Sequence, residues 1–254
     1  MATTRIIALF NQSGGVAKTT LTQNIGYHLA QKKKTRVLVV DMDPQGSLTT
    51  FMGLEPDELD ISVYDAIVNS KPLPVYPEAI NGVWLVPADI NLAAAELQLS
   101  GAISREYRLR NALAPVLDDY DFILIDCPPS LGLLSIISLT AATHLLVPIQ
   151  CQFKSFKGTE LLLSTVAQVR QHTNPNLQFA GFVPTMYDGR TAQESRTVKA
   201  VQSQLSSIAT VFPPVTKSIA FADASERRVP LSLFDKNHPA ITILKQIARD
   251  LEKL

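Results

Sequence analysis

The sequence predicts an α/β protein with a doubly wound, mostly parallel sheet and helices on both faces. Three observations carry this. Short stretches are apolar at consecutive positions rather than alternate ones, as in strands buried on both faces. Segments with helical spacing separate them, so strand and helix alternate. The first apolar run ends in a polar turn with a glycine pair that opens onto a helix. In chain order, residues 5–10 (RIIALF) form the first strand and residues 18–32 the first helix. Strands follow at 36–40 (RVLVV), 83–88 (VWLVPA) and 122–127 (FILIDC), with a helix at 105–117 before the last of these. Residues 133–142 are helical, 144–149 (HLLVPI) a strand, 158–173 helical and 179–185 (FAGFVPT) a strand. The tail HPAITILKQIARDLEKL has apolar positions at helical spacing and a proline suited to a first turn, which makes it a helix packed on the sheet.

At 254 residues, 46% hydrophobic and 18% charged, the chain can bury a large core and is not of disordered composition. No repeat or linker interrupts it, and the Pro/Gly clusters at 71–82 and 213–214 are loop-sized, so residues 1–254 read as one domain. Basic and acidic residues number 23 each, so contact with nucleic acid has to come from a local patch. Cys127 and Cys151 sit in or beside apolar runs and read as buried thiols of a reducing compartment. The N-terminus has no long apolar stretch of signal-peptide type, and no window is apolar enough to span a membrane. The expectation is a cytoplasmic protein.

The loop NQSGGVAKTT, residues 11–20, carries the chemistry. Glycines let backbone approach an anion, and the following helix points free amides and the positive end of its dipole at it. Lys18 is placed to reach phosphates and the Thr19 hydroxyl to bind Mg²⁺. The common pattern G-x-x-x-x-G-K-[ST] fails, because Gln12 and Ala17 stand at its glycine positions. A structural Gly-Gly turn is the plainer explanation of the loop taken alone. Two further stretches weigh against it. VVDMDPQGS puts Asp41 and Asp43 at the C-terminal end of a strand, where open α/β sheets place their ligands, and ILIDCPPSLG puts Asp126 at the end of another. A lone aspartate ending a strand is commonly a turn former, but three such stretches in one order are hard to assign to turns.

Together these stretches resemble the deviant Walker A, Walker A′ and Walker B motifs of the ParA/MinD family of partition and positioning ATPases, and PIQCQF and TMYDGRT resemble further segments of its ParA branch. The resemblance covers about the whole chain and implies a P-loop NTPase of the deviant Walker type. It further implies a cytoplasmic, nucleoid-associated ATPase with ATP and Mg²⁺ as ligands. Two protomers sandwich ATP, the homodimer binds double-stranded DNA without sequence preference, and an adaptor protein stimulates hydrolysis. Carried over by position, Ser13, Gly14, Gly15, Val16, Ala17, Lys18, Thr19 and Thr20 surround the phosphates. Thr19, Asp41 and Asp126 serve the metal, Asp43 the attacking water, and Met186 the neighbourhood of adenine.

The departure is Ser13, where the family carries a lysine that crosses to the partner's phosphates. A serine hydroxyl carries no charge. Lys154 is the first candidate to supply the missing cation, with Lys157 second; the plainer alternative is two ordinary solvated lysines. Serine here resembles the carboxysome-positioning McdA branch, whose adaptor is McdB. The alternative is a plasmid or chromosome partition ATPase with a ParB-like adaptor. Arg190, Arg196, Lys199, Lys217, Arg227 and Arg228 form the expected DNA strip, because backbone phosphates require cations and not base readers. Ala220 stands where relatives often carry a second arginine. Two other classes compete. A metabolic P-loop enzyme would need a substrate constellation, but His28, His144, His172 and His238 are scattered. A MinD-type membrane positioner would need a lipid-binding tail, but this one lacks Trp and Phe, so no membrane is expected.

Overall fold

The computed structural model describes residues 4–152 and 158–254. Six strands form one sheet: β1 Arg5–Leu9, β2 Val37–Asp41, β3 Trp84–Val86, β4 Phe122–Asp126, β5 His144–Gln150 and β6 Gln178–Thr185. Their spatial order is β3-β2-β4-β1-β5-β6, and every neighbouring pair is parallel. The described helices are α1 Lys18–Ala30, α2 Ser47–Phe51, α3 Val63–Ile67, α4 Leu92–Gln98, α5 Arg108–Leu113, α6 Leu133–Ala141, α7 Thr159–His172, α8 Ala192–Leu205, α9 Ala220–Glu226, α10 Leu231–Phe234 and α11 Ala240–Leu251.

Each apolar strand feeds two cores because successive side chains point to opposite faces. Ile7, Leu9, Val37 and Val39 pack with Leu21, Ile25 and Leu29 of α1 and Leu244 and Ile247 of α11. Ile6, Ala8, Leu38 and Val40 pack on the other face with Leu92, Leu109, Ile137 and Val166, from α4 to α7. Gly26 lets α1 lie close to the sheet, since a Cβ there would sit 3.2 Å from Val39 Cγ1. The tail helix α11 buries Ala240, Ile241, Leu244, Ile247, Ala248 and Leu251, and packs along α1.

One expected element differs. Residues 105–117 are not a continuous helix but a 3₁₀ turn at Arg105–Tyr107, then α5, then a second 3₁₀ turn at Ala114–Asp119. Pro115 has no N–H to donate into a continuing α-helix.

The topology fixes where a ligand goes. The adjacent strands β1 and β4 send their crossovers in opposite directions and over opposite faces of the sheet, β1 to β2 through α1 and β4 to β5 through α6. Open α/β sheets bind ligands at the C-terminal edge of such a divergence.

Candidate active site

At that edge Leu9, the last residue of β1, pairs with Asp126 of β4, and Asp126 is in register with Asp41 of β2. The loop from Asn11 to Ala17 therefore begins beside two strand-end carboxylates. Asn11 shapes it from within. Its Oδ1 accepts from Ser13 N at 2.9 Å and its Nδ2 donates to Pro148 O at 2.7 Å. Thr185, at the end of β6, donates its hydroxyl to Val16 O at 3.1 Å, and Gln12 Nε2 donates to Gly158 O at 2.9 Å. Gly15 has φ 71° and a Cβ there would meet nothing within 4 Å, so the loop crest is open to a ligand. Ala17 caps α1 with φ 68°, a left-handed conformation costly for an L side chain.

Lys18 is buried in the hollow of the loop, and its Nζ donates to Asn11 O and Ser13 O, each at 3.0 Å. Burial lowers its pKa, against the opposing pull of Asp126. Asp126 is fully buried, and its Oδ2 has no hydrogen-bond partner among the described residues. Its Oδ1 lies 3.5 Å from the Thr22 hydroxyl, one helical turn beyond Lys18. Burial first, and then the Asp41 carboxylate, push the Asp126 pKa well above the ordinary carboxylate range, while Thr19 and Lys18 pull it down. An orphaned buried carboxylate oxygen beside a threonine at the head of a helix suits a divalent cation, whose charge would restore the ionised form.

Asp41 is differently placed. Its Oδ1 accepts from Asp43 N at 3.1 Å, and its Oδ2 accepts from Thr49 N at 2.9 Å and Thr49 Oγ1 at 2.8 Å. Both oxygens are engaged by the chain, so this residue organises the turn that presents Asp43. Burial raises its pKa to about 6, the Thr49 bonds opposing. Asp43 is half-buried on that turn, its Oδ1 accepting from Gln45 N at 3.0 Å.

Beside the loop, Thr20 and Met186 line a cavity of about 850 Å³ together with Phe51, Lys217, Ile219 and Phe221, large enough for a nucleoside. Met186, Thr20 and Ala17 also line a smaller hollow of about 40 Å³ next to it. Lys154 and Lys157 lie outside the described residues.

The cations of the expected DNA strip are disposed unevenly. A bridge between Tyr187 and Thr216 sets the Arg190 turn beside the Lys217 loop. Arg190 is exposed but forked onto Asp188, Nε to Oδ1 at 2.9 Å and Nη2 to Oδ2 at 2.8 Å. Those bonds hold the Asp188 pKa down to about 2. Arg228 bonds the Glu55 carboxylate and Gly53 O, and Arg227 lies 5.2 Å from the ring centre of Phe234. Arg196 and Lys199 are exposed on α8, and Lys217 is exposed in its loop.

Asn11, Thr22, Thr49 and Thr185 escape a reading of the sequence alone. Thr22 had a signal, its spacing of four from Lys18 on one helix face. Thr49 and Thr185 reach the site through tertiary contacts that no local pattern encodes. The histidines serve locally: His28 pairs with Ser232 at 3.0 Å, His238 with Ser218 at 3.0 Å and His144 with Thr143 at 2.9 Å. Cys127 and Cys151 are buried free thiols. No helix among the described residues is long and apolar enough to cross a membrane.

A strand, a glycine-bearing loop with an inward lysine and a helix N-terminus, facing strand-end aspartates, define a P-loop nucleotide-binding protein. A family model described as an AAA domain matches residues 4–179. The chain is 37% identical over 251 residues to the sporulation initiation inhibitor protein Soj of Bacillus subtilis, covering 97% of this chain and 98% of Soj. It is 35% identical over 252 residues to the chromosome partitioning protein ParA of Myxococcus xanthus, covering 98% and 88%. Among solved structures, cobyrinic acid a,c-diamide synthase from Mycobacterium smegmatis with bound ADP and magnesium superimposes with a TM-score of 0.86 at 35% identity, over 98% of this chain and 94% of that one. The ATP complex of a McdA variant from Cyanothece shares the fold, with a TM-score of 0.89 at 22% identity over 100% and 98%. The chain belongs to the ParA/MinD family of P-loop ATPases.

Proposed function

We propose that residues 1–254 act as one Mg²⁺-dependent ATPase domain that dimerises around ATP, binds DNA without sequence preference and positions or partitions a cargo through adaptor-stimulated hydrolysis. The observation that carries this is the convergence of Lys18, Thr19 and the unpartnered Oδ2 of Asp126 under one open loop. Bound Mg²⁺ supplies charge neutralisation of the triphosphate, and Thr19 and Asp126 hold it. Lys18 exchanges its bonds to the Asn11 and Ser13 carbonyls for phosphate oxygens, regaining a charged partner for a buried ammonium. Asp43, fixed by the turn that Asp41 and Thr49 build, orients the attacking water. Met186 and Phe221 flank the base in the adjoining cavity.

For the cargo, Ser13 favours carboxysomes, whereas the printed name of the ParA relative at 35% identity favours chromosome partition. A second class, an ATP-using biosynthetic enzyme, is favoured by the printed activity of the Mycobacterium smegmatis structure. Mobility shifts of two unrelated duplexes with no nucleotide, Mg²⁺-ADP or Mg²⁺-ATP separate the classes. The positioning reading expects both duplexes to be retained alike, and only with ATP. Absence of DNA binding under all three conditions would leave the biosynthetic class standing, and preference for one duplex would contradict non-specific binding.

A further inference from the structure

We infer that a groove between the distal half of α1 and α11 is a second phosphate-binding surface, and that its occupant is the backbone of double-stranded DNA. This rests on the DNA-binding reading above and extends it to residues outside the expected strip.

The groove measures about 750 Å³, and Lys32, Lys236, Lys245 and Arg249 line it beside Tyr27 and Ser232. Its one acid, Glu252, is already held by Lys32 at 3.0 Å. Lys236, Lys245 and Arg249 are exposed, and no carboxylate lies within ion-pair distance of them among the described residues. Lys245 and Arg249 stand four residues apart, so they share one face of α11. Burying α11 against α1 through Leu244, Ile247 and Leu251 is what turns that face outward.

Two comparisons single the groove out. The chain has no net charge, so three unpaired cations in one concavity are a local concentration and not background. In the expected strip, two of the six cations, Arg190 and Arg228, are tied to Asp188 and Glu55, so its free cations are fewer than the sequence suggests. The surfaces are contiguous: Arg227 rests on Phe234 of α10, and Ser232 and Leu233 of that helix line the groove. A short cation track therefore leads from the nucleotide edge, around α10, to the far end of α1. Cations without hydrogen-bonding side chains set to read bases suit phosphate contact independent of sequence.

The test uses the full chain with Mg²⁺-ATP and a fluorescent duplex of arbitrary sequence, its affinity followed by anisotropy across a salt series. The Lys245→Ala/Arg249→Ala variant is compared with wild type and Arg190→Ala. Each lost phosphate contact lowers the logarithmic salt slope by about 0.9, so the double variant should lose roughly 1.8 for each protomer of the dimer that touches the duplex. Measured from 1 M salt, that is a loss of roughly sixty-fold per protomer in affinity near 0.1 M. Basal ATP hydrolysis should be unchanged, which also reports that the variant is folded. Lys236→Ala, in a loop, should lose roughly eightfold per protomer with no demand on helix packing. If Arg190→Ala weakens DNA binding while the groove variants keep wild-type slope and affinity, the groove inference is overturned and the DNA reading stands. If wild type fails to bind DNA with ATP, both fall. Groove variants that keep wild-type DNA binding but lose stimulation by an acidic adaptor would assign the groove to protein and overturn the inference.

Discussion

Ala17 sits at the N-terminus of α1 with φ 68°, where the common phosphate-loop pattern has glycine. Its methyl group makes the left-handed backbone cost on the order of 1–2 kcal/mol. Ala17→Gly should therefore raise stability by about 0.5–1 kcal/mol, the extra freedom of the unfolded chain offsetting part of the relief, as measured by the urea midpoint. Asp43 and Lys18 separate by role. Asp43→Ala should bind Mg²⁺-ATP with near wild-type affinity and lose most hydrolysis, because a water-orienting group acts on the transition state. Lys18→Ala should lose ATP affinity itself; equal loss of affinity in the two variants would remove Asp43 from the water. His28 sets an acid limit. Burial, with the Lys245 charge adding to it, lowers its pKa from 6.5 to about 4. The unfolded chain then binds the proton first, so stability is fully present above pH 6.5 and is lost as pH falls toward 4. His28→Gln should flatten that window, and an unchanged dependence of the urea midpoint between pH 7 and 5 would assign the acid sensitivity elsewhere.

At the scale of elements, the six strands were legible because each is a continuous apolar run, and their ends differ from expectation by only a residue or two. The reason is burial on both faces: Leu38, Val39 and Val40 are each fully buried, so no polar alternation blurs the signal. Short helices were harder to read. α4 exposes Leu97 at 79%, so periodicity does not mark it, and its N-cap Asn91 makes no side-chain cap bond. The break at Pro115 was visible in principle, since proline lacks the N–H that a continuing helix needs, but the apolar spacing of 105–117 outweighed it. In the candidate site, the placement of Lys18 and Thr19 at the head of a helix and of Asp41 and Asp126 at strand ends was legible from local pattern; their roles stay proposals. The ion pairs of Arg190 and Arg228 were not legible. Arg190 meets an acid two residues away and Arg228 one far along the chain, and composition alone does not show which cations are already engaged.

For the molecule as a whole, the phosphate loop, the Met186 cavity and the Arg190 turn all stand at the C-terminal ends of the strands, so in the proposed function one ligand there would bias both a partner protomer and DNA. Ser13 carries no charge where the resembling family has a lysine, and the proposed dimer would need another cation. Lys154→Ala should abolish ATP-dependent dimerisation while the monomer stays folded, and Lys157→Ala should be much milder. Losing two charge-assisted phosphate contacts, at about 1.5–3 kcal/mol each, shifts the monomer–dimer equilibrium by roughly two to four decades. Normal dimerisation by Lys154→Ala would leave the charge at Ser13 unreplaced by that residue. The most direct test of an ATP-switched dimer is sedimentation velocity of the wild-type chain with no nucleotide, with Mg²⁺-ADP and with Mg²⁺-ATP, alongside Lys18→Ala with Mg²⁺-ATP. The account expects a dimer in wild type with ATP and monomers in the other three samples; a wild-type chain that binds Mg²⁺-ATP and sediments as a monomer would contradict it.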